Sequence, residues 1–397
     1  MTGRSDGRPL IDRPARVVHV IPELKAGGAE QQLLALIQSL DSNTWDSIVV
    51  CTHRPGMLEP EYAENGVTTI TLGKYNRYDI TLAYRLAVTI IRYRPDIIHT
   101  WLLSSNIWGR LSYLLLPYKP IIISTVRTID IGIPRFLDAV DRVMCRVSDA
   151  VVGNSDRVSE FLIRKRGYPT DRVITIKNGI NLDRSQRSLR WTDSERNRFR
   201  LEIGVPENAF VVGHIAQPIK EKRFDLLVEI IDRLHRAGVP IRVLQLGRGP
   251  DSPKEEQYFA EYQNALHAAG VKCLVHRTDF VRDISSYLAI MDAVVQTSDI
   301  EGFPNGVIEA LSMERPVVAT DAGGTSDLVR DGVTGWLVEP GDIDTLVSRL
   351  IWVFNNREKA LQIGKAGRAL VEHDFSVDTM VRKTTALYQS LLRKKYE

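Results

Sequence analysis

The sequence predicts an α/β protein built from two doubly wound, Rossmann-like domains facing a central cleft. Short apolar runs alternate with helix-length amphipathic segments, the pattern of a parallel sheet with crossover helices. The series occurs twice, on either side of a polar stretch at 183–209. A chain of 397 residues with 44% apolar and 25% charged content has enough material for two cores.

Val17–Ile21 reads as the first strand, and Gln31–Leu40 follows with apolar residues at 33, 34, 36, 37 and 40, a helical stripe. Ser47–Cys51, Asp96–Thr100, Ile121–Val126 and Ala150–Asn154 are further strands. Arg184–Arg200 is dense in Arg, Ser, Asp and Glu and reads as a linker or surface helix, which sets domains at 1–185 and 205–374. In the second series Phe210–Ala216, Ile241–Gly247, Ala293–Thr297 and Val317–Thr320 are strands. Arg223–Ala237, Tyr258–Ala269, Asn305–Glu314 and Ile343–Asn355 are helices, and Phe375–Lys395 reads as one long terminal helix. Two doubly wound sheets imply ligand binding beyond the carboxyl ends of their strands.

Composition narrows the function. A net charge of +3 gives no support for a nucleic-acid partner; residues 1–185 carry 24 Lys/Arg against 19 Asp/Glu, a mildly basic half that fits an anionic ligand, an anionic membrane face or ordinary surface. Cys51, Cys145 and Cys273 are too far apart for a disulfide framework or a zinc site, so reduced thiols of a cytoplasmic protein are expected. Residues 1–16 are polar and scattered with arginine, unlike a signal peptide, and no apolar run approaches the ~20 residues of a membrane span.

The most informative segment is Glu301–Leu311, in the loop and helix after the strand Ala293–Thr297. Pro304 suits the first turn of a helix, and free N–H groups at 304–306 offer an anion site for a diphosphate. Glu309 stands among Val307, Ile308, Ala310 and Leu311; a carboxylate buried there needs a hydrogen-bond partner such as a ribose diol, and a solvated helix face is the equally weighted alternative. Gly323 and Gly324 after Val317–Thr320 let backbone approach a ligand, with Thr325 as a helix N-cap, or form a plain turn. Lys25–Glu30, with Gly27 and Gly28, has neither dinucleotide nor P-loop spacing and is a phosphate- or acceptor-facing loop or a tight turn. Lys220–Arg223 could neutralise a diphosphate leaving group or be a solvated basic turn. No Ser-His-Asp order, HExxH or zinc spacing occurs.

Together these segments resemble the retaining glycosyltransferases of family four, also called group one. The resemblance rests on EGFPNGVIEA, in which Glu301 and Glu309 form an E-x7-E pair, on ERPVVATDAGG and DGVTGWLVEPGD after it, on GGAE at 27–30, and on shorter strings at 96–99, 153–155 and 177–181. It implies a GT-B fold with the helix at about 375–397 packing back on the N-terminal domain. Glu309 would hold the donor ribose, Glu301 would orient the donor sugar, Lys222 would contact the diphosphate, and Gly28 would approach it from the other domain. Gly27, Gly302, Phe303, Pro304, Asn305, Gly323, Gly324 and Thr325 complete the implied donor site, and His99 is the third candidate catalytic residue. The family needs no metal or other cofactor. The donor would be a UDP- or GDP-linked sugar, the acceptor a glycan or a lipid-linked molecule, and the product would keep the donor's anomeric configuration.

Three positions depart from the family pattern. Gln217 stands where an arginine is usual, five residues before Lys222, and Lys220 or Arg223 would have to substitute. Trp101 replaces the second histidine of His-x-His, which makes a buried structural role for His99 the competing reading. Asp327 stands where Glu is common. Gln217 and Trp101 keep open a degenerate nucleotide-sugar sensor; a nucleotide-sugar 2-epimerase on the same fold is a further alternative. Lys74–Arg94 mixes basic and aromatic residues and would place the protein peripherally on the anionic inner face of the cell membrane, or be a basic solvated face over a core stripe.

Overall fold

A computed structural model describes residues 13–75, 79–129 and 135–397. The N-terminal Arg4 and Arg8, and Arg77 and Tyr78 of the basic stretch, lie outside the described residues. The chain divides into two compact units: the described residues up to Gly179 together with Val377–Glu397, and Ile180–Ser376.

In the first unit, β1 (Ala15–Glu23), β2 (Trp45–Arg54), β3 (Thr68–Thr71), β4 (Ile97–Trp101), β5 (Ile121–Val126), β6 (Ala150–Gly153) and β7 (Val173–Thr175) form one sheet in the order β3-β2-β1-β4-β5-β6-β7. Every pairing is parallel. Central strands are buried on both faces, which is why they read as unbroken apolar runs. Along β4 and β5, Ile97, Ile121 and Ile123 enter one core cluster while Ile98 and Ile122 enter another, the two-residue alternation of a pleated strand. The chain reverses its winding between β1 and β4, so the loops after these strands flank the switch point.

The second unit repeats the plan with β8 (Phe210–Ile215), β9 (Ile241–Leu246), β10 (Val275–Thr278), β11 (Ala293–Gln296), β12 (Val317–Thr320) and β13 (Trp336–Val338), ordered β10-β9-β8-β11-β12-β13 and parallel throughout. Its switch point lies between β8 and β11.

One sequence expectation, the domain boundary, needs correction. Of its two expected forms the polar stretch takes the helical one, as Leu182–Leu189 and Asp193–Glu202 of the second unit, so the division falls earlier, after Gly179. Leu182, Leu189, Trp191, Phe199 and Ile203 pack on that unit's core, and Phe199 meets the Tyr287 ring edge-on at 5.2 Å. These few apolar side chains are spread thinly among charges, which hides the period from a composition scan. The expected terminal helix is present as Val377–Tyr396, and a further helix, Arg357–Asp374, precedes it. Phe375 breaks them; its carbonyl accepts from Ile180 N at 2.9 Å.

The last helix belongs to the first unit's core through Val377, Met380, Leu387, Tyr388 and Leu392. Tyr388 is fully buried, edge-on to Trp45 at 5.2 Å. Truncating so large a buried ring removes its contacts and leaves a cavity. Tyr388→Ala is therefore expected to destabilise the protein by roughly 3–5 kcal/mol in urea titration; a cost near zero would mean that the helix does not stay docked in solution.

Candidate active site

The strongest local arrangement follows β11. Glu301 is 8% exposed, and its Oε1 accepts three hydrogen bonds, from Lys222 Nζ at 2.5 Å, Ser298 Oγ at 2.7 Å and Gln296 Nε2 at 2.9 Å. A buried carboxylate is tolerable only when paired and bonded in this way. Oε2 receives no hydrogen bond from any described residue, so one oxygen is fixed and the other stays available as an acceptor. Lys222 comes from a short turn after β8; its carbonyl accepts from Thr297 Oγ1 at 2.7 Å, and Asp299 N donates to Glu221 O at 2.9 Å, so the loops after β8 and β11 are tied together. His214 at the end of β8 lies near Thr297 Oγ1 at 3.3 Å, and burial, aided by the Lys222 charge, pushes its imidazole down to about 3, leaving it a neutral prop.

Helix Asn305–Ser312 begins at the expected residue, with Pro304 as its N-cap and not in its first turn. Gly306 lies against the end of β8; a Cβ there would stand 2.9 Å from Ile215 Cβ and 3.0 Å from its carbonyl oxygen. Glu309, one turn further on, is partly buried. No described residue hydrogen-bonds its carboxylate, and burial together with the Asp283 charge pushes its pKa up to about 7. Of the two E-x7-E carboxylates, Glu301 is buried with protein partners and Glu309 is partly buried without one.

The Gly323–Gly324 loop is packed on this segment. Gly323 has φ +52°, and a Cβ there would lie 1.7 Å from the Glu301 carbonyl oxygen, so only glycine fits. Gly324 N donates to Gly302 O at 3.1 Å. Thr325 is not the N-cap: Gly324 holds that place, and the fully buried Thr325 hydroxyl donates to Ala322 O at 2.7 Å. The Phe303 side chain faces inward and meets Phe375 at 5.6 Å, so any contribution of Phe303 to a ligand is through its backbone. Gln217 is engaged on both sides, its Oε1 accepting from Arg248 at 2.8 Å and its Nε2 donating to Glu255 at 2.8 Å. Arg248, from the loop after β9, was missed because nothing in GRGPD marks it locally; only the folded sheet brings it beside Gln217.

In the first unit, the sequence had put His99 forward as catalytic. Its two ring nitrogens lie 2.6 Å from the Tyr388 hydroxyl and 2.6 Å from Thr125 Oγ1, and it is 3% exposed. Burial, with His19 and Arg127 nearby, holds the imidazole neutral. With both nitrogens occupied it braces the sheet against the last helix, and the structure gives it no position to move a substrate proton. Trp101 packs on it at 4.8 Å. Gly27 N-caps helix Gly28–Ser39, and a Cβ at Gly27 would come 2.5 Å from Glu30 Oε2. The first-unit residues and the Glu301 cluster belong to separate units.

Comparison with known proteins bears on these observations. Residues 206–356 match the family Glycosyl transferases group 1, and residues 26–184 match Glycosyltransferase Family 4. The chain belongs to the group 1, or family 4, glycosyltransferases. It is 27% identical to the sulfoquinovosyl transferase SQD2 of Arabidopsis thaliana, over 92% of this chain and 72% of that protein. It is 23% identical to the capsular polysaccharide biosynthesis glycosyltransferase CapM of Staphylococcus aureus, over 80% of this chain and 82% of that one. Among solved structures, Anabaena Alr3699/HepE in complex with UDP superposes with a TM-score of 0.82 at 20% identity, covering 94% of this chain and all of that one. A Rickettsia africae glycosyltransferase gives 0.82 at 21%, covering 96% and 99%. The fold of this glycosyltransferase is thus GT-B, and its activity is nucleotide-sugar-dependent transfer.

The raised pKa of Glu309 has a stability consequence. The folded protein holds this proton up to about pH 7, whereas an unfolded glutamate gives it up near 4.5. The folded state then binds more protons, so stability falls as pH rises through that window and stays lower above it. Glu309→Gln should raise the melting temperature at pH 8 and leave it unchanged at pH 4; an equal effect at both would place the carboxylate in water.

Proposed function

We propose that this glycosyltransferase is retaining and takes a sugar from a uridine diphosphate donor to a glycan or lipid-linked acceptor. The observation that carries the proposal is the contrast within the E-x7-E pair. The Glu309 carboxylate is partly buried without a hydrogen bond from any described residue, and a ribose diol would supply one. Glu301 is immobilised through Oε1 and offers Oε2 to donor-sugar hydroxyls. The ammonium of Lys222 has donors left beyond its bond to Glu301 and would meet the diphosphate, together with the N–H groups at the start of helix Asn305–Ser312 and backbone of the Gly302–Pro304 and Gly323–Gly324 segments. Arg248, held by Gln217, would supply the guanidinium usual at position 217. Gly27 and Gly28 are assigned to substrate backbone contacts on the first unit. Uridine is chosen because the Anabaena HepE and Staphylococcus aureus TarM neighbours were solved with UDP.

In this reading the bond from the anomeric carbon to the β-phosphate oxygen breaks, its electron pair goes to the phosphate, and the acceptor oxygen bonds to the same face. The acceptor proton passes to the departing phosphate. Lys222 and Arg248 stabilise the charge that develops on the leaving group, the term electrostatic preorganisation supplies best. The test is nucleotide release from UDP-, GDP- and ADP-sugars. One donor should be turned over slowly alone and faster with acceptor, with Glu301→Ala and Glu309→Ala each reduced by about 100-fold or more, the scale of losing a preorganised polar contact. Nucleotide binding without release under every acceptor condition would instead identify a sensor.

We also propose a peripheral place on the cytoplasmic, anionic leaflet of the cell membrane. Helix Thr81–Tyr93 buries Leu82, Leu86, Ala87 and Ile90, yet its outer face is not simply basic: Ile80 is 79% exposed, Tyr84 67%, and Val88 and Ile91 continue the stripe, beside exposed Arg92 and Arg94. An exposed apolar stripe flanked by arginines suits the headgroup boundary. The protein should float with phosphatidylglycerol vesicles at low salt, and Tyr84→Glu/Val88→Glu should abolish this; equal recovery with neutral phosphatidylcholine vesicles would remove the electrostatic part of the reading.

A further inference from the structure

The carboxyl edge of the first sheet holds a cation that none of the roles above uses. Arg127 is the residue after β5, next to the ends of β4 and β6. Its guanidinium stacks over the Trp101 ring with 5.4 Å from the guanidinium carbon to the centroid. One NH2 hydrogen goes to Asn178 Oδ1 at 2.6 Å, and the Arg127 carbonyl accepts from Asn154 Nδ2 at 3.2 Å. The head group is therefore braced by side chains from the end of β4 and the loop after β7, while the turn after β6 holds the residue's backbone.

No described carboxylate forms an ion pair with it, although buried Arg110 and Arg166 on the same unit share Asp141 at 2.7 Å each. Burial lowers the pKa of Arg127 to about 10 against a weaker opposing effect of the Glu30 charge. A guanidinium carries five N–H donors in a fixed fork, and here a single one is engaged with a described residue. Such a cation, oriented by stacking and only partly exposed, matches a planar or tetrahedral oxyanion. A purely structural arginine would be expected to have a carboxylate partner, as Arg110 and Arg166 have in Asp141.

We propose that Arg127, oriented by Trp101 and Asn178, recognises an oxyanion substituent (phosphate, sulfonate or carboxylate) carried by a substrate of this enzyme other than the donor's diphosphate. This rests on the transferase reading above. It also gives Trp101 a reason to stand where a histidine is usual: the indole is the platform on which the guanidinium lies. The anionic group is on the acceptor or on the donor sugar, and these two sources are separable.

The experiment has a binding arm and a transfer arm, both on the full chain. In the first, inorganic sulfate and phosphate are titrated by thermal shift against wild type, Arg127→Gln, Arg127→Lys and Lys222→Ala. Stabilisation that survives Lys222→Ala, is lost in Arg127→Gln and is partly kept in Arg127→Lys supports the site, whether or not any donor is turned over. Stabilisation lost only in Lys222→Ala overturns it. In the second, kcat/KM is compared for UDP-glucuronic acid against UDP-glucose, and for glycerol 3-phosphate or phosphatidylglycerol against glycerol or diacylglycerol. Arg127→Gln should lower the preference for the anionic member of one pair by about 30-fold, the scale of a charge-assisted forked contact. The donor pair responding places the anion on the sugar, the acceptor pair responding places it on the acceptor. Unchanged preferences in both pairs, or a weakening of UDP binding by the same factor, would overturn the proposal. If Arg127→Gln does not fold, Asn178→Ala and Trp101→Phe, which loosen the guanidinium while keeping its charge, should lower the same preference by a smaller factor.

Discussion

The second unit is organised around one buried carboxylate oxygen. Glu301 Oε1 gathers an ammonium, an amide and a hydroxyl, and each of those donors is fixed by something else. Lys222 sits on a turn whose carbonyl is held by Thr297, Ser298 carries its carbonyl to the Thr320 hydroxyl at 2.5 Å, and Gly323 comes so close to the Glu301 carbonyl that no side chain fits there. The ends of β8, β11 and β12 are thereby locked into one rigid rim. Removing Glu301 would leave a partly buried lysine without its counter-charge, which is costlier than never having had the pair. Rigidity of this kind is what a site needs if its dipoles are to be in place before the reaction begins.

Glu309 obeys the opposite logic. It is drawn into the same apolar segment, but the protein supplies it with no donor and Asp283 adds repulsion. The folded state bears that cost at neutral pH, and a hydroxyl-bearing ligand that satisfied the carboxylate would recover it on binding. Two glutamates eight positions apart thus differ in kind: one is satisfied internally and gives shape, the other is left without a donor from any described residue. Local sequence could not distinguish them, because the partners of Glu301 come from positions 222, 296 and 298.

What the sequence made legible follows from where the signal is local. Strands β1, β4, β5, β8, β9, β11 and β12 lie buried on both faces and announce themselves as apolar runs. Strands β3, β7 and β10, at or beside the sheet edges, are three or four residues long and only partly buried, and β13 is three residues of mixed burial, so none of them produces a run. The helices at Leu182–Leu189 and Asp193–Glu202 were obscured because their charges outnumber the few side chains that dock them. His99 misled for a different reason: its motif position suggests chemistry, while its partners, Thr125 and Tyr388, are remote in sequence and turn it into a brace. The glycines of the Glu301 rim were legible as glycines; that Gly323 is compelled by a carbonyl and not by a turn required the fold.

The two departures from the family pattern look alike once the sheets are formed. Gln217, where an arginine is usual, accepts a hydrogen bond from Arg248 of the adjacent strand's loop. Trp101, where a histidine is usual, lies under Arg127 of the adjacent strand's loop. Neighbouring strands of a sheet are only ~4.8 Å apart, well within the reach of an arginine side chain, so a cationic group can be delivered to one strand end from the next. In both places the residue that departs from the pattern is the support and the arginine next door carries the charge. Reading such positions one at a time suggests a decayed site. Across the strand, an arginine stands beside each of them at the carboxyl edge of the sheet, where doubly wound folds bind their ligands.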